Sequence, residues 1–148
     1  MRYLGPEHDT GELAYDQLLL TTGSVNKLLP VSGVAEHAHG FRDIAEALYL
    51  RDHVVRQYEL ADSAAEEAER AARTTFVVVG AGYTGTEVAA QGALLTRSLA
   101  RSHPRLAGTP ARWLLLDTAH RVLPGLDERL GVASHRVLRQ RGVDVRTG

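Results

Sequence analysis

The amino-acid sequence predicts an α/β fold built on half of a doubly wound parallel sheet. Three observations lead to this prediction: short apolar runs recur at residues 76–79, 113–116 and 143–145, helical patterns separate them, and a glycine-rich turn directly follows the first run. Strands that alternate with helices form parallel sheets, because a parallel connection needs a crossover of a dozen or more residues. Right-handed crossovers predict the strand order 3-2-1.

Composition limits the class of protein. The 148 residues are enough for one ordinary domain, with 44% hydrophobic and 24% charged residues. The net charge of −1 provides no positive field that would gather nucleic acid, so no nucleic-acid partner is expected. The sequence has no cysteine, which leaves neither a disulfide nor a thiolate metal site in these residues. No apolar run approaches the ~20 residues that span a bilayer.

The first segment is expected to hold a strand that runs into a tight turn. Residues 12–20 end in an apolar run, and the small residues Thr21-Thr22-Gly23-Ser24 follow it. Pro30 and two glycines then interrupt regular structure, so a boundary between two units is expected near residues 24–40.

Two helices are expected before the first parallel strand. Apolar residues from Phe41 to Ala61 recur every three or four positions, which predicts one amphipathic helix. Ser63 and Glu66 have the spacing of a capping box and predict a second short helix that runs to Arg73. This second helix is interpreted as a linker without chemistry.

The first parallel strand leads into the glycine-rich turn. Residues 76–79 are apolar throughout, which is typical of a strand buried on both faces. The helix after the turn is expected to end before Pro104. One face of this helix is expected to present Val88, Gly92, Leu95 and Leu99.

A second strand, a helix and a third strand complete the predicted unit. Residues 105–111 are interpreted as a surface loop, and residues 113–116 as a second buried strand with Asp117 at its carboxyl end. Asp127 is expected to cap the following helix, and Gly142 to end it.

The segment Gly80-Ala81-Gly82-Tyr83-Thr84-Gly85 matches the dinucleotide-binding fingerprint G-x-G-x-x-G of Rossmann-type folds. Gly80 is expected to permit the sharp turn, Gly82 to let backbone N–H groups approach a pyrophosphate, and Gly85 to let helix and strand pack closely. The helix N-terminus adds unpaired donors and a partial positive charge. A glycine pattern alone is weak evidence, but here a strand leads in and a helix leads out.

The second part of the fingerprint is an acidic residue that accepts hydrogen bonds from the adenosine ribose. Asp117 occupies this place, although it lies farther from the loop than the usual ~20 residues. The loop at 105–111 accounts for the excess, because extra loop length costs little free energy. The alternative is that Asp117 merely begins a turn.

Asp117 also predicts a preference for NADH over NADPH, since a carboxylate repels a 2′-phosphate. Arg121 is the residue that would accommodate such a phosphate instead. It is expected to face solvent.

These residues resemble a known superfamily. Leu13 to Ser24 resembles the segment that closes the FAD domain in pyridine-nucleotide disulfide oxidoreductase-like flavoproteins, and the glycine loop followed by Glu87 is typical of the same superfamily. Residues 23–38 and the stretch from Ile44 to His53 look like the type II NADH dehydrogenase branch.

The resemblance implies roles for individual residues. Glu87 would lie near the nicotinamide, where hydride passes to the flavin; its alternative role is a favourable charge early in the helix. Tyr83 resembles a tyrosine that covers the flavin in some relatives. The residues implied to bind FAD or NADH are Thr22, Gly23, Gly80, Gly82, Tyr83, Thr84, Gly85 and Asp117.

The resemblance also divides the chain. Residues 1–24 would be the tail of an FAD-binding domain, residues 25–73 a connection with amphipathic helices, and residues 74–148 an incomplete NAD(H)-binding unit. The first FAD-binding glycine loop and the rest of the sheet would lie outside this chain, so the isolated chain is expected to be inactive.

A type II NADH dehydrogenase binds FAD, oxidises NADH and passes electrons to a quinone or another small electron acceptor. The resemblance therefore implies a cytoplasmic location, peripheral on the cytoplasmic face of the membrane, with membrane contact only through regions outside this chain. It leaves open whether the protein is a homodimer.

Two alternatives stay open. One is another FAD-dependent NAD(P)H reductase with a ferredoxin, nitrite or disulfide acceptor, whose redox-active cysteines would lie outside these residues. The other is a non-catalytic NAD-binding module that senses redox state, although such a module has no use for an FAD-domain tail. No metal site is predicted, because His37-x-His39 is the only close histidine pair and no third ligand follows nearby.

Overall fold

The computed structural model describes residues 1–23, 25 and 30–148. The chain divides into two compact units, residues 1–37 and 38–148. The first unit contains an antiparallel hairpin and one short helix. These elements are β1 (Arg2–Leu4), β2 (Thr10–Glu12) and α1 (Val34–His37).

The prediction of a strand that ends at Leu20 is wrong. The structure has no strand at residues 13–23, and the side chains of Leu19 and Leu20 are 86% and 71% exposed. A strand needs a neighbouring strand to pair its N–H and C=O groups, and no described residue offers one here. Gly23, which the sequence places in a tight turn, has φ +74°. Ser24 and residues 26–29, which carry part of the family resemblance, lie outside the described residues.

The second unit is a three-stranded parallel sheet with helices. Its three strands lie side by side in chain order, and Trp113 of the central strand lies opposite Phe76 on one side and Val143 on the other. The elements are α2 (Ile44–Ser63), α3 (Glu67–Arg73), β3 (Thr75–Val79), α4 (Tyr83–Leu99), β4 (Arg112–Asp117), α5 (Glu128–Gln140) and β5 (Val143–Thr147). The predicted α/β class and strand order are confirmed.

The helix ends follow local chemistry in most places. Asp127 caps α5 by accepting a hydrogen bond from the Arg129 N–H at 2.9 Å. Gly142 follows that helix with φ +85°, a conformation that favours glycine. Helix α4 ends at Leu99 and continues as two short 3₁₀ turns, Ala100–Ser102 and Pro104–Leu106.

The capping box predicted at Ser63 and Glu66 is wrong. Ser63 is still part of α2, so its hydroxyl donates to the Leu60 carbonyl at 3.0 Å, and Glu66 gives α3 no side-chain cap. The side-chain cap forms at the start of α2 instead, where Asp43 accepts from the Glu46 N–H at 2.9 Å.

Burial differs between the central and the outer strand. Residues 113–115 of β4 are buried on both faces, as predicted. In β3, Phe76 and Val78 pack on the core, whereas Val77 and Val79 are 55% and 53% exposed. The prediction for β3 is therefore wrong, because an apolar run does not reveal whether a second layer covers its outer face.

Trp113 lies at the centre of the core. Its ring stacks on Phe76 with 4.7 Å between ring centroids, and its Nε1 donates to Thr96 Oγ1 at 3.1 Å. The ring also covers Gly92, where a Cβ would lie 2.2 Å from Trp113 Cη2. Gly92 thus makes room for the indole within the core-facing side of α4.

The loop before β4 is anchored at one residue. Residues 105 and 107–110 are exposed, as expected of a surface loop. Leu106 is only 1% exposed and packs with Tyr58 and Ala61 of α2. The prediction of a surface insertion is therefore wrong at Leu106, which ties the loop to the second unit.

Candidate functional site

The glycine loop joins the end of β3 to the first turn of α4. Gly80 has φ +105°, and its N–H donates to the Leu116 carbonyl at 2.8 Å. A Cβ on Gly85 would lie 1.8 Å from the Gly80 carbonyl oxygen and 3.3 Å from Val78 Cγ1. The first glycine therefore permits the turn and the last permits close packing of helix on strand.

Gly82 differs from these two glycines because no described part of the chain requires it. Its φ of −73° is accessible to any residue, and no heavy atom lies within 4 Å of the position of a Cβ. The space over Gly82 opens outward from the loop. A close approach by a ligand is a physical reason for glycine at this position that packing within the described residues does not supply.

Backbone donors surround this space. The first hydrogen bond of α4 runs from the Thr86 N–H to the Gly82 carbonyl at 3.0 Å. The N–H groups of residues 83–85, which precede it, therefore have no acceptor within the helix. Gly82, Tyr83 and Thr84 are exposed. With the roughly half positive charge of a helix N-terminus, this arrangement suits an anion such as a pyrophosphate.

Asp117 ends β4 beside the glycine loop. Its Oδ2 accepts a hydrogen bond from the Ala81 N–H at 2.5 Å, and its Oδ1 accepts one from the Ala119 N–H at 2.7 Å. The carboxylate therefore holds both the loop and the turn after β4. Each oxygen keeps further acceptor capacity, and the residue is partly exposed, so a ribose hydroxyl remains a suitable partner.

Ala81 is a site residue that the sequence analysis missed. It is fully buried, its N–H is bound by Asp117, and its carbonyl accepts from the Leu123 N–H at 2.7 Å and from Thr86 Oγ1 at 3.3 Å. Both peptide groups that flank Ala81 are thus fixed. The sequence did offer one signal for this role. A small residue stands between two glycines of the fingerprint, which is consistent with a buried position that has room only for a small side chain.

The expectation that Arg121 faces solvent is wrong. Its guanidinium donates to the carbonyl oxygens of Leu123 at 3.1 Å, Pro124 at 3.0 Å and Leu126 at 2.7 Å. These carbonyls converge only because the turn after β4 folds back on itself. A guanidinium engaged in this way would have to leave three hydrogen bonds to meet a phosphate.

Glu87 and Tyr83 lie on exposed positions of α4. The carboxylate of Glu87 forms no hydrogen bond or ion pair within the described part of the chain. The side chain of Tyr83 is 62% exposed, in the first turn. Both side chains are available to an external group, and their roles toward NADH and flavin stay predictions.

Thr22 and Gly23 lie in the first compact unit, and both are exposed. No heavy atom lies within 4 Å of a Cβ position on Gly23. Their assignment to FAD also stays a prediction.

Histidines and membrane spans give no further site. Across residues 1–23, 25 and 30–148, no three His, Asp or Glu side chains converge on a metal position. His39 instead packs against Tyr49, with 4.6 Å between ring centroids. None of the helices in these ranges is long and apolar enough to cross a membrane.

Comparison with known proteins places the chain in a family. The family described as pyridine nucleotide-disulphide oxidoreductase matches residues 3–148. The chain is 38% identical over 132 residues to the type II NADH:quinone oxidoreductase NdhA of Mycobacterium tuberculosis, an alignment that covers 88% of this chain and 28% of that protein. The chain therefore belongs to the pyridine nucleotide-disulphide oxidoreductase family, and the resemblance seen in its sequence is confirmed.

Solved structures share the fold. The structure of NDH2 from Plasmodium falciparum in complex with NADH matches with a TM-score of 0.80 and 20% identity over 99% of this chain and 30% of that one. A covalent putidaredoxin reductase–putidaredoxin complex matches with a TM-score of 0.61 and 28% identity over 99% of this chain and 29% of that one. The chain thus spans less than a third of the length of the relatives it matches.

Proposed function

We propose that this chain is the NADH-binding part of an FAD-dependent NADH dehydrogenase that uses a quinone as electron acceptor. The observation that carries the proposal is the open, donor-lined space over Gly82 with the Asp117 carboxylate beside it. The similarity to a type II NADH:quinone oxidoreductase supports the choice of acceptor. In this proposal residues 1–24 belong to the FAD-binding domain, residues 25–73 connect the domains, and residues 74–148 bind NADH.

The residues present fit the adenosine half of NADH. The free N–H groups at the start of α4 are suited to the pyrophosphate oxygens, and the missing side chain of Gly82 leaves room for them. Asp117 has acceptor capacity left for the ribose hydroxyls while it holds the Ala81 N–H. For FAD, Thr22 and Gly23 offer one hydroxyl and exposed backbone groups, so most contacts to FAD would come from other residues.

Glu87 is proposed to position the nicotinamide. When bound, NADH supplies a hydride and FAD accepts it. The unpaired carboxylate of Glu87 lies about one helical turn from the loop, a suitable place to accept a hydrogen bond from the nicotinamide end of the cofactor. Tyr83, exposed in the first turn, is proposed to cover the flavin.

NADH is the proposed nucleotide rather than NADPH. A hydrogen bond to a charged group is worth about 1.5–3 kcal/mol, which corresponds to roughly tenfold to a hundredfold in affinity. A 2′-phosphate would lose this bond to Asp117 and would meet its negative charge. Arg121, engaged with three carbonyls, offers no free cation in compensation.

The proposed location of the protein in the cell follows from its proposed electron acceptor. Quinones reside in membranes, so we place the complete protein at the cytoplasmic membrane face, peripherally attached through regions outside this chain. A homodimer is compatible with this arrangement.

A second candidate function is supported by one of the comparisons. The 28% identity to a reductase captured with its protein partner, putidaredoxin, supports a flavin reductase with a protein acceptor. Steady-state oxidation of NADH with a soluble quinone and with a ferredoxin, measured in parallel, separates the two candidates by which acceptor turns over.

The test of the proposal is anaerobic, single-turnover flavin reduction in a protein of the relatives' length that contains this chain. Glu87→Gln is expected to slow flavin reduction by about tenfold or more while NADH affinity changes by less than about twofold, because positioning acts on the reacting geometry. Glu128→Gln, an exposed carboxylate at the start of α5, is the matched control and is expected to behave as wild type. If NADH does not reduce the flavin of the wild-type protein, the proposed function is wrong; if only Glu87→Gln is without effect, the role of Glu87 is wrong.

A further inference from the structure

We infer that Arg121 is a positioning residue for the pyrophosphate site: it holds the turn after β4 so that the Leu123 N–H fixes the Ala81 carbonyl and thereby orients the Gly82 N–H toward the ligand. This inference rests on the proposed NADH-binding function and deepens it. It assigns Arg121 no contact with the cofactor.

The first step is the geometry of one peptide group. The Ala81 carbonyl and the Gly82 N–H belong to the same planar trans peptide and point in opposite directions. The carbonyl is bound on the protein side by the Leu123 N–H at 2.7 Å and by Thr86 Oγ1 at 3.3 Å. The Gly82 N–H therefore points to the open side of the loop. It cannot turn away unless both hydrogen bonds to the Ala81 carbonyl break.

The second step is the conformation of Leu123. This residue has φ +51°, in the left-handed region that leucine rarely adopts, and its side chain is buried with 9% exposed. Such a conformation is strained for a residue with a side chain and persists only where the surroundings impose it. The same residue donates its N–H to the Ala81 carbonyl. Something must therefore hold the turn.

The third step is the guanidinium of Arg121. It donates at 2.7–3.1 Å to the carbonyls of Leu123, Pro124 and Leu126. One side chain thus binds three backbone groups of the turn and holds them together. A guanidinium carries five donors in a rigid fork, whereas a lysine carries three on one atom. Gly131 of α5 makes room for this group, since a Cβ there would lie 2.9 Å from Arg121 Nη1 and 2.9 Å from the Val122 carbonyl oxygen.

The inference separates two roles for Arg121 by experiment. A residue that orients a pyrophosphate donor affects NADH and NADPH equally, because both carry the same pyrophosphate. A residue that binds a 2′-phosphate affects NADPH alone. The ratio of the two affinities therefore distinguishes positioning from direct recognition.

The experiment titrates NADH and NADPH into the chain by calorimetry, in wild type and in Arg121→Met, which keeps an apolar stem and removes the guanidinium. Both affinities are expected to fall by about tenfold, equivalent to about 1.4 kcal/mol, with their ratio unchanged within about twofold. Arg129→Met removes a nearby exposed guanidinium of α5 and is expected to change neither affinity. Thermal unfolding of each variant verifies that the titrated protein is folded.

A second variant covers the case in which Arg121→Met does not fold. Gly131→Ala leaves the guanidinium present but crowds it, and the same equal loss for NADH and NADPH is expected. If Arg121→Met or Gly131→Ala weakens NADPH binding alone, or leaves both affinities as in wild type, Arg121 is not a positioning residue. If the wild-type chain binds neither nucleotide, the proposed NADH-binding function fails, and this inference fails with it.

Discussion

The carboxylate of Asp117 and the backbone N–H of Ala81 are joined by a hydrogen bond of 2.5 Å at the carboxyl ends of two neighbouring strands. This bond ties the end of β4 to the glycine loop that follows β3. The residue proposed to recognise the ribose therefore also shapes the loop proposed to bind the pyrophosphate. Stability and cofactor preference should change together when Asp117 is replaced.

Replacement of Asp117 by alanine is expected to lower the free energy of unfolding by about 1–3 kcal/mol, because the Ala81 N–H loses a charged acceptor. The ratio of NADH to NADPH affinity is expected to fall by at least about tenfold. Urea unfolding and nucleotide titration measure the two effects. Asp144→Ala, which removes an exposed carboxylate from β5, is the control for charge and should leave the ratio unchanged. An unchanged ratio in Asp117→Ala would refute the ribose assignment.

Gly92→Ala is expected to destabilise the fold by about 1–3 kcal/mol, the usual cost of overpacking a core. Its Cβ would lie 2.2 Å from Trp113 Cη2, and the ring is held by Phe76 and by Thr96. Gly125→Ala is the matched control, because no heavy atom lies within 4 Å of its Cβ position. Equal unfolding midpoints for the two variants would show that the indole moves aside without cost.

Tyr58 predicts a loss of stability at high pH. Burial raises the pKa of the Tyr58 hydroxyl above its ordinary value, and this buried oxygen has no hydrogen-bond partner of normal geometry in the described structure. The folded state keeps the hydroxyl protonated while the unfolded chain ionises near pH 10, so stability is unaffected below that pH and falls as pH rises above it.

Tyr58→Phe should remove this alkaline loss. The variant is expected to be at least as stable as wild type at about pH 8, since the buried hydroxyl that it deletes has no hydrogen-bond partner of normal geometry, and its advantage should grow by about pH 11. Urea unfolding at the two pH values measures the difference. Tyr15→Phe, at an exposed position, is the control. An advantage that stays constant with pH would show that Tyr58 does not titrate differently in the folded state.

The parts of the site that were visible in the sequence are those set by local spacing. The fingerprint glycines and Asp117 mark the ends of successive strands, and strand ends meet at one edge of a parallel sheet. For this reason the loop, α4 and the position of Asp117 followed from the sequence. The strand order followed from the handedness of the crossovers.

The parts that the sequence did not reveal depend on the backbone conformation of a turn or on contacts between two elements. The residue types near Arg121 do not indicate that three carbonyls converge on it, because the turn that brings them together contains Leu123 at φ +51°, a conformation that leucine rarely adopts. The fit between Gly92 and Trp113 depends instead on a contact between two elements, α4 and β4. The apolar run that ends at Leu20 predicted a strand, but the described residues contain no neighbouring strand with which it could pair.

NADH affinity and melting temperature, measured together in Gly82→Ala and Gly85→Ala, separate a glycine required by a ligand from one required by the fold. A Cβ on Gly82 meets no heavy atom within 4 Å, whereas a Cβ on Gly85 would lie 1.8 Å from the Gly80 carbonyl oxygen. Gly82→Ala is expected to keep its melting temperature within about 2 °C of wild type and to lose NADH affinity by about tenfold or more. Gly85→Ala is expected to lose both. If Gly82→Ala binds NADH as tightly as wild type does, the space over Gly82 is not the pyrophosphate site.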